Sequence, residues 1–205
     1  MSFTGFSQKD FDTFQIDGLD ERMSAIQERI QPKFKAISEE IINDLSDMVG
    51  HEMFLHVAKH ARRKVNPPKD TWSAYCHNKR GYKKHPHFQI GVFDDHMFIW
   101  LAYIYELPNK AEIATALLDN IDSIIENIPN DYVLSLDHME KKAESLQTID
   151  LTGALERFRD VKKGEFLIGR HISANDPLLQ DGDKLIAYIR DTFQTLTPIY
   201  KISMR

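Results

Sequence analysis

The spacing of the apolar residues changes at Gly50, and this change constrains the fold more than any other feature of the chain. Over residues 19–48 apolar side chains recur every three or four positions, which predicts amphipathic helix. Pro32 should kink or divide that helix, and Gly50 should end it. Residues 87–93 then alternate, and residues 97–105 are almost wholly apolar and aromatic. These runs predict strands, the second of them central and buried on both faces.

The remaining runs place strands in the middle of the chain and helices at both ends. Asp94, Asp95 and His96 lie between two apolar runs and are expected to form a tight hairpin connection. This order predicts an α+β fold, a mainly antiparallel or mixed central sheet with helices packed on it. Because no linker or repeat interrupts it, we expect a single domain over residues 1–205. The other predicted strands are 53–58, 71–77, 132–138 and 165–172, and the other predicted helices begin near Ser7 and cover 109–126, 151–161 and 176–200.

Composition points to a protein of the cytoplasm. The chain has 205 residues, 42% of them hydrophobic, so it can bury a core without needing disulfides or a metal. Its one cysteine, Cys76, can form no internal disulfide. Cys76 and His77 cannot pair as a nucleophile and its base, because neighbours on a strand point to opposite faces, so we expect a buried free thiol. The start of the chain lacks the pattern of a signal peptide, and the longest apolar run, 97–105, is far below the roughly 20 residues of a membrane span. We therefore expect no membrane partner.

The histidines do not form a metal-binding pattern. His51 and His56 are five apart, one more than in the zinc-protease motif, so they do not share a helix face. His56 and His60, or His85 and His87, could each supply two ligands, but no third ligand is apparent at a workable spacing. The sequence therefore predicts no metal and no other cofactor.

Positive charge is concentrated in one stretch of an acidic chain. Residues 56–90 hold nine lysines and arginines and a single acid, Asp70, whereas the whole chain has a net charge of −5. The charge falls in two expected loops, 59–69 and 79–85, where arginine forks and lysines suit phosphate and aromatic rings suit a base. The predicted ligand-binding residues are Lys59, His60, Arg62, Arg63, Lys64, Lys69, Trp72, Lys79, Arg80, Tyr82, Lys83, Lys84 and His85.

Three functions remain open at this level. The first is a module that binds a phosphate-bearing anionic ligand, either a nucleotide or a nucleic acid. The second is an enzyme acting on such a ligand, with Arg62, Arg63 or Arg80 holding charge and His60 or His85 carrying a proton. The third is a protein-interaction module whose basic face meets an acidic partner. The common nucleotide and hydrolase motifs are absent from the sequence, so none of the three is decided by a motif.

Several long segments resemble a known family. "HVAKHARRKVNPPKDTW", "NKRGYKKHPHFQIGVFDDHMF", "RFRDVKKGEFLIGRHI" and "TFQTLTPIY" are similar to the YktB-like family of uncharacterised bacterial proteins, a domain of unknown function. With "FQIDGLDERMSAIQERIQPKF" the resemblance covers almost the whole chain. It implies a cytoplasmic α+β protein of a single domain, and it supplies no activity, substrate or catalytic residue.

Overall fold

A seven-stranded sheet organises the protein in a computed structural model that describes residues 3–205; residues 1–2 of the predicted domain lie outside this range. The sheet order is β1-β2-β3-β4-β7-β5-β6, and every neighbouring pair is antiparallel. The predicted α+β fold is therefore confirmed. The strands are β1 (Phe54–Val57), β2 (Thr71–Cys76), β3 (His87–Val92), β4 (His96–Tyr103), β5 (Val133–Ser135), β6 (Glu144–Ser145) and β7 (Phe166–Ser173).

Helices cover one face of this sheet. The side chains of Tyr75, Phe88 and Tyr103 point to that face, and Phe193 of the last helix packs against Tyr75 and Phe88. The first long helix packs beside the last, so both ends of the chain meet over the sheet. The helices are α1 (Gln8–Phe11), α2 (Leu19–Ala25), α3 (Gln31–Val49), α4 (Lys110–Leu118), α5 (Ile121–Asn127), α6 (Leu151–Asp160) and α7 (Gly182–Ser203).

The other face carries a second, smaller apolar cluster. Its buried members are Phe93, Phe98, Trp100, Ala102 and Leu167, with Trp72, Val133 and Ala143 packed against them. Segments that join strands lie over it, since Ala143 packs on the cluster and Tyr82 and His138 contact Trp72. Covered on both sides, β3 and β4 are buried along their whole length, as the apolar run 97–105 predicted for β4.

The first long helix is divided just before Pro32, as the sequence predicted. A π-helical stretch at Ile26–Ile30 separates α2 from α3, and Pro32 lies in the first turn of α3. Gly50 ends α3 with a left-handed φ of 85°, as expected.

Other differences concern element length. The helix predicted over 109–126 is two helices, because Asn120 leaves helical geometry and its side-chain amide donates to the carbonyl of Ala116 at 2.8 Å. The strand predicted over 132–138 ends at Ser135, whose hydroxyl donates to the carbonyl of Asp137 in a local turn. Strand β6 was not predicted, and the closing helix begins at Gly182 after a 3-10 turn at Pro177–Gln180.

Candidate functional site

The two basic segments leave opposite ends of strand β2. Residues 58–70 join β1 to β2 at the end where Val57 pairs with Ser73. Residues 77–86 join β2 to β3 beyond Cys76, as the sequence predicted for a loop between adjacent strands. Most of the first segment is therefore distant from the second along the strand direction.

An open cleft of about 700 Å³ nevertheless brings part of both segments together. Strand β1 forms one wall and residues 80–85 form the other. Because β1 has only four residues, Lys59 follows it closely enough to line the cleft as well. The lining residues are Leu55, His56, Val57, Ala58, Lys59, Asn78, Arg80, Gly81, Tyr82, Lys83, Lys84, His85 and Glu106.

The charge of this cleft is strongly positive. Four of its side chains are cationic and one, Glu106, is a carboxylate. Lys83 pairs with Glu106 at 3.4 Å. Within residues 3–205, Lys59, Arg80 and Lys84 make no ion pair. The cleft therefore offers three cations that are free to meet an anion.

Asn78 fixes the shape of the second basic segment. Its side-chain oxygen accepts from the backbone N–H of Arg80 at 2.8 Å, and its side-chain nitrogen lies 3.1 Å from Nε2 of His85. Its carbonyl lies 2.9 Å from Nε2 of His56, which ties the segment to β1. Burial and the charge of Lys84 lower the pKa of His85, which keeps this imidazole neutral as an acceptor for the amide.

Tyr82 contributes an aromatic ring to the lining of the cleft. Its hydroxyl accepts a hydrogen bond from the indole N–H of Trp72 at 3.0 Å. Its ring lies 5.6 Å from that of His56 and 4.9 Å from that of His87. Trp72 does not line the cleft. Because its indole N–H is bonded to the Tyr82 hydroxyl, a movement of Tyr82 changes the surroundings of the indole directly.

Several predicted site residues lie outside the cleft. The Arg63 guanidinium donates to the carbonyls of Asn66 and Pro67, at 3.2 and 3.4 Å, and so supports its own loop. Lys79 lies with its ammonium 5.8 Å from the ring centre of Phe54. The predicted residues that do not line the cleft are His60, Arg62, Arg63, Lys64, Lys69, Trp72 and Lys79.

His60 lies against Thr71 and Trp72 and not in the cleft. Its Nε2 lies 3.2 Å from the hydroxyl of Thr71, and its ring meets Trp72 edge-on at 5.4 Å. Burial, with the nearby charge of Arg63, lowers its pKa to about 4. At neutral pH this imidazole is therefore uncharged and adds nothing to the positive potential.

Three polar residues of the cleft lining, His56, Asn78 and Glu106, were not predicted as part of the site. In the sequence His56 stands only as half of a possible metal-binding pair, and the pattern does not single out Asn78 or Glu106. His56 pairs with Ala74 of β2, so the two side chains point to the same face of the sheet. The alternation of side chains along β1 was the signal that could have indicated where the His56 side chain points. The position of Glu106 depends on how the chain turns after β4, which the sequence pattern does not reveal.

Known proteins with similar sequences match this chain over nearly its whole length. The sequence model of DUF1054, described as a domain of unknown function, matches residues 6–200. A UPF0637 protein of Oceanobacillus iheyensis is 60% identical over 200 residues, which cover 98% of this chain and 97% of the relative. A UPF0637 protein of Shouchella clausii is 56% identical over 204 residues, covering 100% and 97%. One from Listeria monocytogenes serotype 4b is 50% identical over 205 residues, covering both chains completely. Among residues 3–205, the helices are all too short or too polar to cross a lipid bilayer.

Proposed function

This chain belongs to the DUF1054 family, and we propose that it binds a phosphate-bearing anionic ligand of about nucleotide size in the basic cleft. The observation that carries the proposal is the meeting of Lys59, Arg80 and Lys84, none of them paired with a carboxylate, around one concave space. Cations that repel one another are gathered at a cost in stability, which a bound anion would offset.

The size and lining of the cleft support a small ligand. Pockets for small molecules commonly measure about 300–1,000 Å³, and this cleft has about 700 Å³. Arg80 can hold two phosphate oxygens in its planar fork, while Lys59 and Lys84 contribute point charges. Tyr82 and His56 add flat surfaces beside these cations. A nucleotide combines a phosphate with a ring system and therefore fits this set of side chains.

A nucleic acid is the less favoured ligand. Long polyanions are usually met by a basic stripe across a surface, whereas the cations of 62–69 do not line the cleft. The buried free thiol of Cys76 further supports our proposal that the protein works in a reducing cytoplasm, where nucleotides are abundant.

Titration with nucleotides tests the proposal. ATP, GTP and their monophosphates are added at low salt while tryptophan fluorescence is followed, because Trp72 donates to Tyr82 of the cleft wall. We expect saturable binding that weakens by at least about tenfold in a variant carrying Arg80→Ala and Lys84→Ala, since charge-assisted hydrogen bonds are lost.

The matched control removes the same charges elsewhere. Arg62→Ala with Lys64→Ala also takes away one arginine and one lysine, both exposed and both outside the cleft. We expect this control to bind nucleotides nearly as the wild type does. Equal losses in the two variants would show that only net charge matters, and absence of binding at low salt would refute the proposal. Binding of oligonucleotides alone, with a steep dependence on salt, would establish nucleic acid as the ligand.

A further inference from the structure

A second group of ionisable side chains lies at the end of the sheet where β5 finishes and β7 begins. The backbone N–H of His138 donates to Oε2 of Glu165 at 2.8 Å, and Nδ1 of the same histidine lies 2.9 and 2.8 Å from the two carboxylate oxygens. The N–H of Tyr105 also donates to Glu165, at 3.3 Å. Glu165 is only 3% exposed, so this carboxylate is held in place from several sides. Within residues 3–205, Nε2 of His138 makes no hydrogen bond.

Negative charge is in excess around this imidazole. The carboxylate of Glu165 lies 2.8 Å from Nδ1 of His138, and donor atoms of Asp137, His138 and Glu165 lie within 4.8 Å of one another. One imidazole therefore faces two carboxylates, and even when protonated it cannot neutralise both.

Asp70 provides an independent sign that a partner is missing. Its side chain is 2% exposed, and within residues 3–205 its Oδ2 has no hydrogen-bond partner. Burial raises its pKa to about 6, although the charges of His138 and Arg63 oppose this. A buried carboxyl oxygen left without a partner is costly, and such an atom commonly indicates an unobserved ion, water or ligand.

We propose that Asp137, His138 and Glu165 bind a divalent transition-metal ion. Donor atoms from these three residues lie within 4.8 Å of one another. One imidazole nitrogen and two carboxylate groups are donors that Zn²⁺ accepts, whereas Mg²⁺ favours oxygen alone. The ion would take the place of the proton that Nδ1 of His138 shares with Glu165.

This site is separate from the basic cleft but close to it in the fold. Tyr105, which donates to Glu165, precedes Glu106 of the cleft lining. The histidine pairs considered in the sequence did not reveal it, because two of the three ligands are carboxylates and His138 is 27 residues from Glu165. The proposal does not depend on nucleotide binding and can succeed or fail by itself.

Equilibrium dialysis of the chelator-stripped full chain against Zn²⁺, followed by elemental analysis, tests the site. We expect about one tightly bound zinc per chain, and no competition from Mg²⁺ at equal concentration. His138→Ala should abolish that binding. Because this change leaves Glu165 buried and unpaired, Asp137→Asn is the second variant; Asp137 is exposed, so the chain should stay folded while zinc affinity falls about tenfold or more.

The chain offers a matched control in its other Asp-His pair. Asp95 is also exposed and also precedes a histidine, His96, whose Nδ1 lies 2.7 Å from its carboxylate. That pair lies at the opposite end of β4, where His96 pairs with Ser173. Asp95→Asn should bind zinc as the wild type does. Zinc well below one per chain, equal competition by Mg²⁺, or unchanged zinc affinity in both Asp137→Asn and a folded His138→Ala would each overturn the proposal and leave an ion pair only.

Discussion

His87 shows how a single buried side chain couples the fold to pH. It is fully buried at the start of β3, with Nδ1 2.7 Å from the carbonyl of His85 and Nε2 2.8 Å from the side-chain amide of Gln89. The carbonyl can only accept, so Nδ1 carries the proton and Nε2 accepts from the amide. This pairing satisfies the neutral ring, and burial lowers the pKa of His87 to about 4.

We predict that the free energy of unfolding decreases as the pH falls from 6.5 to 4. Over that range unfolded His87 takes up a proton and the folded one does not, so protonation favours the unfolded state. The difference in pKa corresponds to about 3 kcal/mol for this residue. His60 and His171, with pKa values lowered to about 4 and about 3, act in the same direction. Urea unfolding of wild type and of His87→Gln at several pH values should show a smaller decrease in the variant.

Asp70 provides a control of opposite sign. Its pKa is raised to about 6, so the stability that its neutral form contributes at low pH is lost as the pH rises through 6. Asp70→Asn removes this opposing effect, and its stability should fall more steeply than that of wild type between pH 6 and 4. Parallel curves for wild type and both variants would contradict the assigned protonation states.

Among the elements, the closing helix α7 depends on its first residues. Asp181 precedes the helix, and its side chain accepts from the N–H of Lys184 at 3.1 Å. Such a cap satisfies one of the N–H groups that a helix leaves unpaired at its start.

Asp181→Ala should lower the free energy of unfolding by about 1 kcal/mol, because that N–H loses its acceptor. Asp181→Asn keeps an oxygen in the same place and should cost much less. Urea denaturation of the two variants beside wild type measures both effects. A loss of similar size in both would show that the carboxylate charge, including its ion pair with Lys184 at 2.8 Å, matters more than the cap.

Long elements could be predicted from the sequence and short ones could not. Strands β3 and β4 and the helices α3 and α7 contain enough apolar residues for their period to be visible. Strand β6 has two residues and β5 has three. They form because β7 pairs with β5 and β5 in turn pairs with β6, rather than through their own pattern.

The candidate sites were predictable in part for the same reason. Lys83, Lys84 and Tyr82 follow one another in a loop between adjacent strands, so their proximity is local. Lys59 reaches the cleft lining because β1 has only four residues, and Glu106 reaches it because of the way the chain turns after β4. Long-range contacts of this kind are set by tertiary structure, which periodicity does not encode.

At the scale of the whole molecule, the sheet separates two layers that different probes report. Trp72 and Trp100, the only tryptophans, belong to the cluster on the face without helices. Circular dichroism reports mainly the helices on the other face. Since both layers share β3 and β4, we predict a single cooperative unfolding transition over the chain. Urea curves followed by tryptophan fluorescence and by circular dichroism should coincide, and two separated midpoints would contradict this prediction.

The position of β7 in the sheet has a consequence for how the protein is made. Strand β7 lies between β4 and β5, although it follows both in the chain. During synthesis the meander of β1 to β4 is therefore complete while β4, the most apolar strand, still has an unpaired edge. It stays unpaired until residues 166–173 leave the ribosome. Such an edge is a template for pairing with other chains. A nascent or truncated chain that ends before Phe166 should therefore aggregate or require a chaperone, even though most of its core is already present.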